Sequence, residues 1–103
     1  MQDRTGQVAV IFTNQRRGTA ADGYAAAAAA MDALAAAQPG YLGIDSARGT
    51  DGFGITISWW ADEAAAVAWR RNAEHAAVRQ QGRENWYETY AVAVGRAYDW
   101  RRG

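Results

Sequence analysis

The sequence contains no cysteine and no lysine, and it has one histidine and one proline. Without cysteine the chain can form no disulfide, no thiolate nucleophile and no cysteine-ligated zinc or iron–sulfur site. Eleven acidic residues balance eleven arginines, so the chain lacks the positive field that attracts nucleic acid or an anionic membrane. The longest apolar run, Ala25 to Met31, is far shorter than the roughly 20 residues that span a bilayer, and the first ten residues contain no apolar signal segment. We therefore expect a single cytoplasmic domain over residues 1–103 that binds neither nucleic acid nor membrane.

Hydrophobic periodicity and turn residues predict six elements in the order β-α-β-β-α-β. Pro39–Gly40 is expected to end the first helix, and Gly49–Gly52 to form a tight turn between the two middle strands. Thr19 or Asp22 can cap the first helix, and Gly82 is expected as the glycine that ends the second. The predicted strands are Gln7–Asn14, Tyr41–Arg48, Phe53–Trp60 and Asn85–Trp100, and the helices run to about Ala37 and Gln81. This order predicts an α+β, ferredoxin-like fold, in which two helices cover one face of a four-stranded antiparallel sheet.

Strict alternation along each strand assigns its side chains to the two faces of the sheet. On the last strand it places Tyr87 and Tyr90 on opposite faces. On the third strand it places Trp59 and Trp60 on opposite faces, and it leaves open which of them meets the helices.

The second face of the sheet has no helix to cover it, although the first and last strands are apolar on both sides. That face would expose more apolar surface than a small monomer usually shows. Pairing two sheets across a two-fold axis buries this surface, which predicts a homodimer with the helices outside. The alternative is a monomer in which long side chains and loops cover the face.

The second helix carries the candidate site residues. Counting 100 degrees per residue from Ala68, the stripe that faces the sheet becomes polar in its second half. Its polar residues are Asn72, His75 and Arg79, and Trp69 lies at its edge. Such side chains are costly to bury against a sheet without partners, so they either line a cavity or extend with the helix end into solvent. His75 is the only histidine and could be a general base, a haem ligand, an orienting residue or a structural one.

Trp60 and Trp69 flank the start of this helix and could form two walls of one pocket; the alternative is that they only fill the core. The sequence contains no glycine-rich phosphate loop, no HExxH or GxSxG motif, and no second histidine for a metal site. It therefore predicts neither a metal ion nor a tightly held organic cofactor.

The segment Ser58–Trp100 combines several short features. A tryptophan, Trp60, closes a strand, an acidic helix start follows at Asp62 and Glu63, and Trp69 lies in the middle of that helix. The other features are an EH pair at Glu74–His75, a GR pair at Gly82–Arg83 and a final R-x-Y at Arg96 and Tyr98. In this combination, and in the entry to its second strand at Pro39–Gly43, the chain resembles the antibiotic biosynthesis monooxygenase family. The resemblance implies a dimeric α/β barrel.

Two kinds of chemistry are implied by the resemblance. In quinone-forming members a phenolic or anthrone substrate loses a proton in an apolar pocket, and its carbanion passes an electron to O₂ without metal or flavin. The family pattern has a tryptophan at the position of Trp60 and an asparagine where this chain has Thr56. Haem-degrading members use a first-strand asparagine, a mid-helix tryptophan and an axial histidine; here Trp69 matches, Asn14 comes late in its strand, and His75 precedes the expected ligand position.

We therefore expect a cofactor-independent monooxygenase, a tailoring enzyme that uses O₂ on an aromatic or polyketide-type small molecule. His75 is expected to act as base or orienting residue between walls formed by Trp60 and Trp69, with Asn72 and Arg79 donating hydrogen bonds to an oxyanion. The alternatives are a haem-binding or haem-degrading monooxygenase with His75 as ligand, a non-oxidative isomerase or cyclase, and a ligand-binding accessory protein.

Overall fold

Four strands and two helices follow one another in the order β-α-β-β-α-β in the computed structural model, which describes residues 3–18, 23–101 and 103. The elements are β1 (Val8–Arg16), α1 (Tyr24–Ala36), β2 (Tyr41–Arg48), β3 (Phe53–Trp60), α2 (Glu63–Gly82) and β4 (Tyr87–Arg96). The strands pair antiparallel in the order β2-β3-β1-β4, and residues of both helices pack on the same face of the sheet. The predicted ferredoxin-like α+β fold is confirmed.

The hairpin between β2 and β3 has the predicted bounds because its turn residues fix them locally. The amide of Gly49 donates to the carbonyl of Phe53 at 2.9 Å, and the amide of Gly52 donates to the carbonyl of Gly49 at 3.0 Å. Gly52 has a φ of 87°, a left-handed conformation that favours glycine.

The end of α2 differs from the prediction. The helix begins as expected, with the Asp62 carboxylate accepting from the amide of Ala65 at 2.8 Å. The amide of Arg83, however, still donates to the carbonyl of Arg79 at 2.8 Å. Gly82 is therefore the last helical residue, and the left-handed conformation falls on Asn85, at a φ of 60°.

The start of α1 is formed by Gly23, which has a φ of 85° and no side-chain cap. The predicted caps, Thr19 and Asp22, lie outside the described residues. Neither α1 nor α2, as far as the structure describes the chain, has the length and apolar character to cross a bilayer.

A register shift beside Arg16 changes which face β4 presents. Tyr87 pairs with Arg16 and Tyr90 pairs with Asn14. Because Asn14 and Arg16 share a face of β1, both tyrosines face the helices, and their ring centroids lie 5.6 and 6.2 Å from that of Phe12. The prediction that they lie on opposite faces is wrong, because strict alternation does not allow for the extra residue of a bulge.

The core lies between the helices and the sheet, and Trp60 is at its centre. This side chain is 0% exposed and stacks on Trp69, with 5.7 Å between ring centroids and 28° between ring planes. Its indole N–H donates to the hydroxyl of Ser58 at 2.9 Å. The remaining buried members of this cluster are Val8, Val10, Ala35 and Ala66. Of the two adjacent tryptophans it is therefore Trp60 that meets the helices.

Trp59 lies on the opposite face, where the two ends of the chain cover it. Trp100 contacts it edge-on at 5.6 Å, the guanidinium of Arg4 lies 5.2 Å from its ring, and its N–H donates to Asp45 at 2.9 Å. Farther along β3 on the same face, Phe53 and Ile55 are 43% and 40% exposed. One end of the outer face is thus covered by the chain itself and the other end is open.

Candidate functional site

A cavity of about 80 Å³ lies between the two helices and the helix-facing side of the sheet. Its apolar lining comes from β1, β2 and both helices, and consists of Val10, Phe12, Ala28, Met31, Ile44, Trp69, Ala73, Ala76 and Ala77. Its polar lining consists of Tyr24, Asp32, Thr56, Ser58, Gln80 and Tyr87. Thr56, at the position where the family pattern has asparagine, therefore reaches this cavity, with a hydroxyl in place of an amide.

The face of α2 that meets the cavity is not the predicted one. The buried residues of this helix are Ala66, Trp69, Ala76, Ala77 and Gln80. The side chains of Asn72, His75 and Arg79 are exposed, and none of them lines the cavity. The prediction that these three residues face the sheet is therefore wrong.

The physical reason is a rotation of the assumed stripe. The helix is alanine-rich, so the apolar pattern does not distinguish one face from the next. At 3.6 residues per turn, Asn72, His75 and Arg79 lie about 60 to 120 degrees to one side of Trp69. Centring the stripe on Trp69, the largest apolar side chain of the helix, would have placed them outside. Arg79 instead forms a surface ion pair with Glu84 at 3.5 Å.

Trp60 and Trp69 do not form opposite walls. Trp69 lines the cavity, whereas Trp60 lies behind it and is not a lining residue. Trp60 is therefore a core residue, and of the two tryptophans only Trp69 forms a wall of the cavity.

The polar end of the cavity is a pair of tyrosines that the sequence analysis did not bring together. The hydroxyls of Tyr24, at the start of α1, and Tyr87, at the start of β4, lie 2.9 Å apart. The Nη2 of Arg48 donates to the Tyr24 hydroxyl at 2.8 Å. The guanidinium of Arg16 lies 3.9 Å from the centroid of the Tyr24 ring, within the range of a cation–π contact.

The direction of this hydrogen-bond chain follows from its donors. A guanidinium has no acceptor, so Arg48 donates and Tyr24 accepts. Either tyrosine can donate to the other, and when Tyr24 is the donor the proton of Tyr87 is left for a ligand. Among the described residues, the Tyr87 hydroxyl has no side-chain partner other than Tyr24.

Burial keeps Tyr87 protonated. Desolvation raises the pKa of the Tyr87 phenol well above its usual value, while the charges of Arg48 and Arg16 act in the opposite direction. At neutral pH Tyr87 is therefore a hydrogen-bond donor and not a base.

Arg48 is placed by a glycine on the neighbouring strand. It pairs with Gly54 of β3, where a Cβ would lie 2.7 Å from the guanidinium carbon of Arg48. A second N–H of Arg48 donates to the carbonyl of Gly52. The signal in the sequence is an arginine at the end of β2 facing a glycine across a predicted hairpin.

The residues present do not fit a histidine-ligated haem. His75, the only histidine of the chain, is exposed on α2 away from the cavity lining. In the described part of the chain there is also no group of three or more His, Cys, Asp or Glu side chains that could hold a metal ion.

Comparison with known proteins gives matches in sequence and in structure. Residues 7–81 match the family model for antibiotic biosynthesis monooxygenase. The uncharacterized protein YqjZ of Bacillus subtilis is 49% identical over 74 residues, which cover 72% of this chain and 65%, less than two thirds, of that protein. SnoaB from Streptomyces nogalater, described as a cofactor-independent oxygenase, superposes with a TM-score of 0.67 at 21% identity, covering 96% of this chain and 97% of SnoaB. Rv0793 from Mycobacterium tuberculosis superposes with a TM-score of 0.68 at 23% identity, over 90% and 96% of the two chains. At these identities the structural matches show a shared fold.

Proposed function

Because this chain belongs to the antibiotic biosynthesis monooxygenase family, we propose that it is a cofactor-independent oxygenase that modifies an aromatic small molecule in the cavity between helices and sheet. The observation that carries the proposal is the form of the cavity, in which apolar walls end at the paired hydroxyls of Tyr24 and Tyr87. The shared fold with SnoaB, described as a cofactor-independent oxygenase, supports the same class of chemistry.

The apolar walls suit an aromatic ring. Trp69 offers the face or edge of an indole, and Phe12, Ile44 and Met31 offer further apolar contacts. Small-molecule sites typically combine such walls with a few polar groups that fix orientation. Here the fixed polar group is the hydroxyl of Tyr87.

The proposed reaction begins with loss of a proton from the substrate, which leaves an enolate or phenolate. Tyr87 donates a hydrogen bond to the oxygen on which the negative charge develops, and Tyr24 and Arg48 orient that donor. The carbanion form transfers one electron to O₂, and the resulting radical and superoxide combine to form a carbon–oxygen bond. Loss of water from the peroxide leaves a new carbonyl group, so one oxygen atom enters the product and the other leaves as water.

Oxygen uptake with anthrone tests the proposal, with the uncatalysed oxidation of anthrone subtracted. We expect one molecule of O₂ consumed per anthraquinone formed, at a rate that a metal chelator leaves unchanged. No flavin or haem absorption is expected in the purified protein. Conversion of anthrone that continues without oxygen would favour an isomerase or cyclase, and saturable binding without any conversion would favour a ligand-binding accessory protein. Either result would overturn the oxygenase proposal.

The open end of the outer sheet face supports a second proposal, a homodimer. Phe53 and Ile55 expose apolar surface there, and small-residue positions on β4, Ala91 and Ala93, are exposed on the same side. A two-fold partner placing the same surface opposite would bury this region.

Sedimentation or light scattering measures the oligomeric state directly. We expect the mass of two chains for the wild type and of one chain for Ile55→Glu, because a charge would be buried at the interface. Val78→Glu, which changes an apolar residue that is 58% exposed on α2, is the matched control and should remain a dimer. A wild type that stays monomeric at every concentration would refute the proposal.

A further inference from the structure

Helix α1 carries a single acid, and it lies on the face that meets the cavity. Tyr24, Ala28, Met31 and Asp32 all line the cavity, and Ala35 on the same face is fully buried. This spacing is that of one helix face. Asp32 lies at the cavity side of this helix and is at the same time exposed to solvent.

The carboxylate of Asp32 is not paired with any described side chain. Over residues 3–18, 23–101 and 103, no arginine forms an ion pair with Asp32 and no donor hydrogen-bonds to its side chain. The other titratable groups that line the cavity are Tyr24 of α1 and Tyr87 of β4; the lining residues of β1, β2, β3 and α2 are uncharged. Burial raises the pKa of the Asp32 carboxyl above its usual value, because desolvation disfavours the ionised form. A carboxylate whose pKa is raised accepts a proton more readily than one with the usual value.

Asp32 and Tyr24 line the cavity from positions about two turns apart on α1. Asp32 follows Tyr24 by eight residues along α1, a rise of about 12 Å along the helix axis. The Asp32 carboxylate and the tyrosine hydroxyls could therefore contact opposite sides of one bound ring system. In anthrone, the acidic methylene lies across the central ring from the carbonyl oxygen.

We propose that Asp32 is the general base of the reaction. Its carboxylate oxygen takes a proton from the acidic C–H of the bound substrate, and the C–H bonding pair moves through the conjugated ring to the oxygen that Tyr87 hydrogen-bonds. The base ends as a carboxylic acid and the substrate as an enolate or phenolate, so the step needs no oxidant. This inference rests on the proposed function for its substrate class, but proton abstraction can be measured without oxygen.

The test is hydrogen–deuterium exchange at the methylene of anthrone, followed by NMR in D₂O under nitrogen. Asp32→Asn keeps the size of the side chain and should lower the protein-catalysed exchange about 100-fold or more. Asp32→Glu should retain part of the rate. Glu74→Gln, which neutralises an acid of α2 outside the cavity lining, is the matched control and should exchange as the wild type does.

The pH dependence gives a second readout. The wild-type exchange rate should rise with pH through an apparent pKa above the usual aspartate value of about 3.9, because only the ionised base accepts a proton. In Asp32→Asn this rise should be absent.

Loss of folding can be separated from loss of the base. Since the pKa of Asp32 is raised in the folded protein, the wild type loses stability as pH rises from the unfolded-state value of about 3.9 through the higher folded-state pKa. Asp32→Asn does not undergo this loss. Its melting temperature at pH 7 should therefore be equal to or above that of the wild type.

The outcomes distinguish this inference from the proposed function. Exchange by Asp32→Asn at the wild-type rate, or no exchange by the wild type, would overturn the assignment of Asp32. Exchange that depends on Asp32 in a protein that consumes no oxygen would support the base and overturn the oxygenase.

Discussion

Tyr87→Phe is expected to lower the rate of anthrone oxidation by about 100-fold or more, the typical effect of removing one oxyanion donor. The substitution deletes the hydroxyl that lies 2.9 Å from that of Tyr24. It keeps the ring, whose centroid lies 5.6 Å from that of Phe12 and 5.6 Å from that of Tyr24. Because the interaction strengthens as negative charge develops on the substrate, the loss should fall on kcat more than on KM. Oxygen-uptake kinetics measure both constants.

The loss of folding stability in Tyr87→Phe should be small compared with its loss of activity. One hydrogen bond to Tyr24 is lost, which is worth about 1 kcal/mol, and the phenol does not have to be desolvated. Urea unfolding of the variant should show a stable, cooperative protein. A rate within a few-fold of the wild type would contradict the role given to Tyr87.

His75→Ala tests whether the reaction takes place in the cavity or depends on His75, as the sequence predicts. His75 is exposed and does not line the cavity, so its removal should change the rate less than about twofold, as expected for a surface position away from the site. If His75→Ala abolished oxidation and Tyr87→Phe did not, the sequence-based assignment would be restored.

Trp60→Ala is expected to have the largest effect on stability. The side chain is 0% exposed, stacks on Trp69 and has the ring of Tyr41 edge-on at 5.8 Å. Truncating a buried tryptophan costs about 3–5 kcal/mol, a large share of the 5–15 kcal/mol by which domains are typically stable. It also leaves the hydroxyl of Ser58 without the indole donor that binds it.

Urea unfolding measures this loss, with Val78→Ala as control. Val78 is 58% exposed, and its truncation should change the free energy of unfolding by no more than about 0.5 kcal/mol. Equal stability of Trp60→Ala and the wild type would contradict the central position of Trp60 in the core. Trp60→Phe, which retains a ring, should oxidise anthrone within a few-fold of the wild-type rate, because Trp60 does not line the cavity.

The fold could be predicted because its signals are local. The hairpin of β2 and β3 is bounded by glycines, Pro39–Gly40 follows α1, and Asp62 caps α2 within one turn. Each of these signals acts over a few residues. The order of the six elements then leaves few topologies.

The orientation of α2 could not be predicted in the same way. Alanine fits a buried or an exposed helical position almost equally well, so the many alanines of α2 carry little information about its faces. Trp69, the largest apolar side chain of α2, marks its buried face. A stripe centred on Ala68 instead includes Asn72, His75 and Arg79, which are exposed.

The tyrosine pair depends on contacts between residues far apart in the sequence. Tyr24 and Tyr87 are 63 positions apart, and a register shift beside Arg16 is needed to bring Tyr87 to the helix-facing side. A single strand pattern contains neither piece of information. Alternation also places Trp59 and Trp60 on opposite faces of the sheet, but it does not show which of these faces meets the helices.

A crystal structure with bound anthraquinone would test the central claim most directly. We expect the ring system to lie against Trp69 between the helices and the sheet, with one carbonyl oxygen about 2.5–3.0 Å from the hydroxyl of Tyr87. A ligand bound on the outer face of α2 beside His75, with the cavity empty, would contradict it.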